Sequence, residues 1–212
     1  MKNLLYKEVT FSINKFFFIV PAIMSLLFFI PNWLFSIVIM YFFWVSVPQI
    51  LNGYSAQLDY KFISILPVTK KDIVSSKIIA FILIELTHIL FAVVFGVIHN
   101  LVYGSDNLFM EINPAYFGAM LIVLALFNIV LFPPYFKTAY KFGKPLILAS
   151  IVSFLIAGLF EVGAATIPFI QSFLKSDNVL IQLIVLFIGI VAFFGLNLIT
   201  IKKSQSNFEK VD

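Results

Sequence analysis

Residues 78–103 read IIAFILIELTHILFAVVFGVIHNLVY, an apolar run that contains one acidic side chain, Glu85. An α-helix needs about 20 predominantly apolar residues to cross the hydrocarbon core of a bilayer, and this run is longer than that. A strand of a membrane barrel would instead alternate apolar with polar residues, a pattern that the run lacks. The stretch therefore predicts a transmembrane helix.

The composition of the whole chain supports the same class. Of its 212 residues, 62% are hydrophobic and 11% are charged, a balance that a water-soluble domain of this size could not cover with polar surface. Because unpaired backbone groups are costly in hydrocarbon, the continuous apolar runs indicate a helical bundle. We predict an all-α integral membrane protein with a single transmembrane domain over residues 1–212.

Six apolar runs define the predicted spans. The Pro-Asn-Trp segment at 31–33 would join the first two spans as a helical hairpin with almost no external loop. Residues 1–15 are amphipathic, which predicts an N-terminal interfacial helix lying in the membrane surface. Gly163 and Pro168 interrupt the apolar pattern after span five and indicate a re-entrant or interfacial element. The predicted spans are 16–30, 33–53, 78–103, 115–134, 146–166 and 179–201.

The lysines predict the orientation of these spans, since loops on the cytoplasmic side of a membrane are enriched in basic residues. Arginine is absent from the sequence. When the N-terminus, the loops after spans two and four, and the C-terminus share one side, thirteen of the fourteen lysines lie there. Lys175 alone lies on the other side. We therefore expect a multi-pass protein of the cell membrane with both termini in the cytoplasm.

The sequence lacks the motifs of the common catalytic sites. Its only Gly-Lys step, at residues 143–144, has no glycine five positions earlier, so no P-loop is available to bind nucleotide phosphates. No HExxH or GxSxG motif, no histidine pair at metal-ligand spacing and no cysteine occurs. The lysines are scattered between apolar runs, which is not the pattern of a nucleic-acid-binding patch. We expect neither an enzyme nor a metal protein nor a partner of nucleic acid.

The loop at 54–77 contains a short amphipathic helix by its pattern, stopped near Pro67. Thr69 followed by Asp72 resembles a capping box and predicts the start of a helix that leads into span three. The amphipathic helix either rests on lipid headgroups or docks into a groove on a cytoplasmic partner, and periodicity does not separate the two. Its apolar positions are Leu58, Phe62, Ile65 and Leu66.

Four polar residues inside the predicted spans are candidates for a translocation path or for buried polar contacts. Glu85 lies roughly 10 Å from the cytoplasmic end of span three at about 1.5 Å per residue, and His88 follows three positions later on the same face. The pair is either a proton relay or substrate contact, or the glutamate is held by a neighbouring helix. We expect Asn128 to form an interhelical hydrogen bond. We expect Glu161 either to line a cavity or to cap the break after span five.

The layout and two stretches of sequence resemble a known family. The opening MKNLLYKE at 1–8 and the loop segment LPVTKKDIV at 66–74 are similar to the permease subunits of ABC-2 type transporters, in particular small bacterial permeases that work with a separate ATPase chain. Among these, the chain most resembles the shorter permease of the staphylococcal phenol-soluble modulin exporter. The resemblance covers essentially the whole length.

This resemblance implies a permease half that pairs with a second permease subunit, as a homodimer or a heterodimer, and docks on an ABC ATPase through the loop at 54–77. Amphipathic peptides would leave the bacterial cell through or beside the dimer seam. ATP and Mg²⁺ would bind in the partner ATPase, and no cofactor would bind this chain. Many relatives carry a glutamate in the loop, where this chain has Gln57 and Asp59. The implied ATPase-docking residues are Leu58, Asp59, Phe62, Ile65, Leu66 and Pro67.

Two other functions remain compatible with the sequence. One is an ion-coupled secondary transporter that uses Glu85 and His88, although no inverted repeat is evident. The other is a non-transporting membrane immunity or scaffold protein. An ATPase gene next to this one would favour the ABC permease over both alternatives.

Overall fold

The structure is a computed structural model and describes residues 1–57, 59 and 67–211. These residues form helices joined by turns and loops, and no strand occurs among them. The all-α class predicted from the sequence is therefore confirmed. In chain order the helices are α1 (Lys2–Ser12), α2 (Phe16–Phe29), α3 (Ser36–Ala56), α4 (Lys70–Tyr103), α5 (Pro114–Lys137), α6 (Gly143–Thr166), α7 (Pro168–Leu174) and α8 (Val179–Glu209).

In the described part of the chain, five helices are long and apolar enough to cross a membrane: α3, α4, α5, α6 and α8. The helices α1 and α2 pass the same test only together, as a pair bent by 68°. At about 1.5 Å per residue α2 alone reaches only about 21 Å, less than a hydrocarbon core of about 30 Å. The structure thus has five or six candidate spans, so the six-span layout with an interfacial N-terminal helix stays a prediction.

The bend between α1 and α2 has a local cause. Ile13 adopts an extended backbone with φ −98° and ψ 124°, which ends the first helix. The Asn14 side-chain oxygen then accepts a hydrogen bond from the Phe16 N–H at 2.9 Å. Asn14 therefore satisfies a donor that the first turn of a helix leaves unpaired.

The start of α4 confirms the capping pattern read from the sequence. The Thr69 hydroxyl accepts a hydrogen bond from the Asp72 N–H at 3.1 Å, and the helix begins at Lys70. It continues without a break to Tyr103, so the end of the predicted loop and span three form one helix of 34 residues. Gly104, with φ +85°, ends it in a conformation that residues with a Cβ rarely adopt.

The centre of the bundle is α5, most of whose residues are buried. Its closest neighbour is α8, which crosses it where Gly118 and Gly189 face each other. A Cβ added at Gly189 would lie 2.3 Å from the Gly118 carbonyl oxygen, so the two backbones touch at this point. Small residues allow such close approach of membrane helices. The opposite face of α8 remains exposed and apolar, with Phe187, Val191 and Leu198 on the surface.

The helices alternate in direction and give the bundle two distinct ends. At one end α4 begins at Lys70 and α5 ends at Lys137, and we call this the lysine-rich end. Contacts between α4 and α8 hold it together, including a 3.4 Å ion pair between Lys71 and Glu209. The opposite end contains α7, a short helix after the predicted interruption of the apolar pattern. The re-entrant or interfacial location of α7 stays a prediction.

Candidate functional site

The lysine-rich end holds a closed ring of four charged side chains. Lys7 Nζ lies 2.6 Å from Asp59 Oδ1 and 3.1 Å from Glu8 Oε1. Lys77 Nζ lies 2.7 Å from Asp59 Oδ2 and 3.2 Å from Glu8 Oε1. Each lysine therefore contacts both carboxylates, and the two positive charges balance the two negative ones. We call these four residues the charged ring.

The charged ring is buried although it lies near an end of the bundle. The side chains of Glu8, Asp59 and Lys77 are exposed by 1%, 3% and 1%, and only Lys7, at 25%, reaches the surface. Lys77 Nζ also lies 3.4 Å from the centre of the Tyr54 ring, a cation–π contact with α3. Charges removed from water to this extent are stable only when they are paired and hydrogen-bonded.

The charged ring joins segments that are distant in the sequence. Lys7 and Glu8 belong to α1, Lys77 belongs to α4, and Asp59 comes from the loop implied to dock an ATPase. Of the other implied docking residues, Pro67 is exposed just before α4. The remaining four, Leu58, Phe62, Ile65 and Leu66, lie outside the described residues.

A second polar cluster lies in the apolar interior, about halfway along α4. The Asn128 side-chain amide donates to Glu85 Oε2 at 3.0 Å and to the Asn197 side-chain oxygen at 3.0 Å. These three buried residues come from α4, α5 and α8. Asn128 therefore connects three helices through hydrogen bonds, the type of contact that its position in span four favoured.

Glu85 and His88 have different hydrogen-bond partners in the structure. His88 Nδ1 lies 3.2 Å from the Ile84 carbonyl oxygen one turn earlier, and its ring packs against Phe42 at 5.1 Å between centroids. Within the described residues no hydrogen bond joins Glu85 to His88, and neither Glu85 Oε1 nor His88 Nε2 has a hydrogen-bond partner. Both side chains are buried, so the relay suggested by their spacing is not assembled in this conformation.

At the opposite end, Glu161 of α6 binds two backbone donors. Its Oε1 accepts from the Ser36 N–H at 2.8 Å, and its Oε2 accepts from the Met110 N–H at 3.0 Å. Ser36 is the first residue of α3, where unpaired N–H groups and the helix dipole favour a negative charge. Glu161 therefore caps the start of α3 and fixes the loop before α5, and it does not cap the break that follows its own helix.

Among the described residues one lysine, Lys175, lies at this end, and it is also paired. Lys175 Nζ lies 3.7 Å from Glu111 Oε1 and donates to the Asn107 carbonyl oxygen at 2.6 Å. Burial raises the pKa of Glu111, and the positive charge of Lys175 opposes that rise. Lys175, the one lysine outside the predicted cytoplasmic side, therefore forms an ion pair with the acidic residue Glu111.

Comparison with known families decides which class of membrane protein this is. A family model described as ABC-2 family transporter protein matches residues 3–209, from the start of α1 to the end of α8. The chain belongs to the ABC-2 transporter family. No curated protein and no solved structure shows significant similarity to it. It is a multi-pass cell membrane protein and the permease component of an ABC transporter. The permease is a transport component and is not itself catalytic, and the family implies an ABC ATPase partner.

Sequence reasoning missed several polar residues of this permease. From the sequence, Lys7, Glu8 and Lys77 are only charged positions near the membrane and have no assigned partner. Asn197 is not singled out. Two of the four contacts in the charged ring, Lys7 with Asp59 and Glu8 with Lys77, join residues 52 and 69 positions apart, for which a single sequence has no periodic signal. Local signals would have found only Lys77, as a charge directly before a long apolar run.

Replacing Glu161 with glutamine is expected to destabilise the permease by about 1–3 kcal/mol, because glutamine has one acceptor oxygen for two buried donors. Its amide nitrogen would face either the Ser36 or the Met110 N–H, donor against donor. Thermal denaturation of the purified protein in detergent measures the change. Glu209→Gln removes an exposed ion pair, is the matched control, and should shift stability by less than about 1 kcal/mol. Equal effects of both variants would contradict the capping role.

Proposed function

We propose that this chain is one permease half of an ATP-driven exporter that moves amphipathic peptides out of a bacterial cell. The observation that carries the proposal is the family match over residues 3–209. ATP hydrolysis takes place in the partner ATPase. The lysine-rich end faces the cytoplasm, where ATP and the ATPase are found, in agreement with the usual distribution of basic residues.

The loop between α3 and α4 is the proposed docking element for the ATPase. Its apolar residues Leu58 and Phe62 supply anchors of the kind that amphipathic helices insert into a groove on a partner. The charged ring supports this assignment, because it connects Asp59 in the loop to both α1 and α4. Movement of the ATPase at this loop therefore has a direct route into the membrane domain.

A second permease subunit and the substrate are proposed to meet the outer helices. In the most apolar stretch of α8 only 11% of the residues are buried, and in that of α6 only 28% are buried. Both helices therefore have broad apolar faces for lipid and for a second permease subunit. A small apolar groove of about 210 Å³ lies near the opposite end, lined by Phe160, Phe169 and Phe173 among others. A groove of this size accepts an apolar side chain of an amphipathic peptide.

Affinity purification of the tagged chain from its native membrane, followed by mass spectrometry and an ATPase assay, tests the proposal. We expect a nucleotide-binding subunit in stoichiometric amount, and the same preparation shows whether a second permease is present. A chain that purifies alone, without ATPase activity, would refute the proposal.

The double substitution Leu58→Asp and Phe62→Asp is expected to remove both the copurifying ATPase and ATP-driven transport. A charge in each apolar anchor cannot enter a desolvated groove without a large free-energy cost. Membrane insertion should be unchanged, since α4 and the other long helices are intact. The conservative pair Leu58→Met and Phe62→Leu is the control and should retain the ATPase. Retention by the aspartate variant would exclude docking through these residues.

One observation favours the ion-coupled alternative, namely the buried Glu85, whose Oε1 has no hydrogen-bond partner within the described residues. That function predicts transport driven by a pH gradient without any ATPase, and its loss in Glu85→Gln. The purification experiment separates the two functions, because only the permease of an ABC transporter requires a nucleotide-binding subunit.

A further inference from the structure

Asp59 makes the two closest contacts of the charged ring. Its Oδ1 lies 2.6 Å from Lys7 Nζ and its Oδ2 lies 2.7 Å from Lys77 Nζ, whereas Glu8 reaches both lysines through Oε1 at 3.1 and 3.2 Å. The side chain of Asp59 is 3% exposed. Each oxygen of Asp59 therefore already lies at ion-pair distance from a lysine, and almost none of the side chain is available to a second protein.

We infer that Asp59 is a positioning residue, not a contact for the ATPase, and that it clamps the docking loop to α1 and α4 so that the three segments move as one body. The inference deepens the proposed function and rests on it. The ATPase would push on the apolar face of the loop, and Asp59 would pass that displacement to Lys7 and Lys77.

The burial of the charged ring argues for a rigid connection. Opening it would leave Glu8 or Asp59 without a full set of counter-charges in a region that water barely reaches, which is strongly unfavourable. Asp59 joins the loop to two helices at once, so both of its lysine contacts must break before the loop is free. A clamp of this kind favours motion of the connected segments together over motion of the loop alone.

The displacement then has a route through the membrane domain. Lys77 belongs to α4, which runs unbroken from Lys70 to Tyr103 and includes Glu85 in its interior. Lys77 also contacts the Tyr54 ring of α3. Rigid helices are the elements that carry coupling between distant sites. A shift at Asp59 is therefore transmitted to the far end of α4, near His99.

A reporter at that far end tests the inference. The chain has no cysteine, so Leu101→Cys, at a position 81% exposed near the end of α4, provides a single labelling site. The labelled permease is purified with its copurifying ATPase, and an environment-sensitive fluorophore records the change on adding ATP, Mg²⁺ and orthovanadate. The wild-type background is expected to respond. Asp59→Asn should reduce the response at least fivefold while the ATPase copurifies at the wild-type ratio.

Two control variants separate positioning from a structural role. Asp59→Glu retains a carboxylate and should restore at least half of the response. Asp106→Asn, an exposed aspartate at the opposite end, makes the same chemical change outside the charged ring and should leave the response intact. Thermal denaturation of each permease in detergent is measured in parallel. Asp59→Asn leaves Lys7 and Lys77 to share Glu8 and should lower the melting temperature, so every response is recorded below the onset of unfolding of the least stable variant.

The outcomes distinguish failure of the inference from failure of the proposed function. A full response in Asp59→Asn overturns the inference and leaves the proposed function standing. Loss of the ATPase from Asp59→Asn overturns the inference as well, since it would make Asp59 a docking contact. A response in Asp59→Glu no larger than that in Asp59→Asn also overturns the inference, because the carboxylate would then not be the group that positions the loop. If the unsubstituted chain brings down no ATPase, both the proposed function and the inference fail.

Discussion

Replacing Lys77 with methionine is expected to destabilise this permease by about 3–5 kcal/mol, because breaking a buried ion pair leaves an uncompensated charge. In the charged ring, Glu8 and Asp59 would then share Lys7 alone, and Glu8 is fully buried. Methionine fills a similar volume, so the loss would arise mainly from charge and not from a cavity. Thermal denaturation of the purified protein in detergent provides the measurement.

Lys71→Met is the matched control for this prediction. Lys71 lies on the same helix, and its ion pair with Glu209 at 3.4 Å is exposed, with side-chain exposures of 61% and 48%. Exposed pairs of this kind contribute between about 0 and 1 kcal/mol, so the control should be nearly neutral. Equal stabilities of Lys77→Met and the wild type would show that the charged ring contributes little to the fold.

Replacing Gly189 with alanine is expected to destabilise the permease by about 3 kcal/mol, at the upper end of the usual cost of overpacking. The new Cβ would lie 2.3 Å from the Gly118 carbonyl oxygen and 2.5 Å from its Cα, and both are backbone atoms that no side-chain rotation moves away. The helices α5 and α8 would have to separate along their contact. Stability in detergent and the yield of monodisperse protein both report the effect.

Gly195→Ala tests whether the Gly189 effect is specific. Gly195 lies on the same helix, and a Cβ at this position meets nothing within 4 Å. Its substitution should not lower the melting temperature, because alanine also favours the helix more than glycine does. A similar loss in both variants would point to a general intolerance of α8 and would contradict the close contact between the helix backbones.

The features that the sequence predicted well are those with a local physical signal. The apolar run at 78–103 identifies a spanning helix because the length of the run and the thickness of the bilayer are directly comparable. The cap at Thr69 was readable because donor and acceptor lie three residues apart. Residues 16–30, in contrast, form one apolar run that predicts a span, and nothing in that run predicts that α2 is short and bent away from α1.

The features that escaped the sequence depend on contacts between distant segments. Gly118 and Gly189 lie on different helices, so neither forms a GxxxG pattern within its own span. The sequence identifies Glu161 as a candidate polar residue, but its partners Ser36 and Met110 come from other parts of the chain. Glu85 and His88 are correctly spaced to meet on one face, yet the Asn128 amide is the partner of Glu85. Spacing along one helix cannot reveal such a competitor from a neighbouring helix.

The lengths of α4 and α8 determine how far this permease stands above its membrane. Each helix extends eight residues past its apolar stretch at the lysine-rich end, over 70–77 and 202–209, or about 12 Å at 1.5 Å per residue. The headgroup layer on one side of a bilayer is only about 5–8 Å thick. The Gln205 side-chain amide donates a hydrogen bond to the Ser75 hydroxyl at 2.8 Å and so connects the two extensions. With the membrane boundary at the predicted span ends, residues 78 and 201, Thr69 would stand beyond the lipid headgroups, where a soluble protein could reach the end of the loop without displacing lipid.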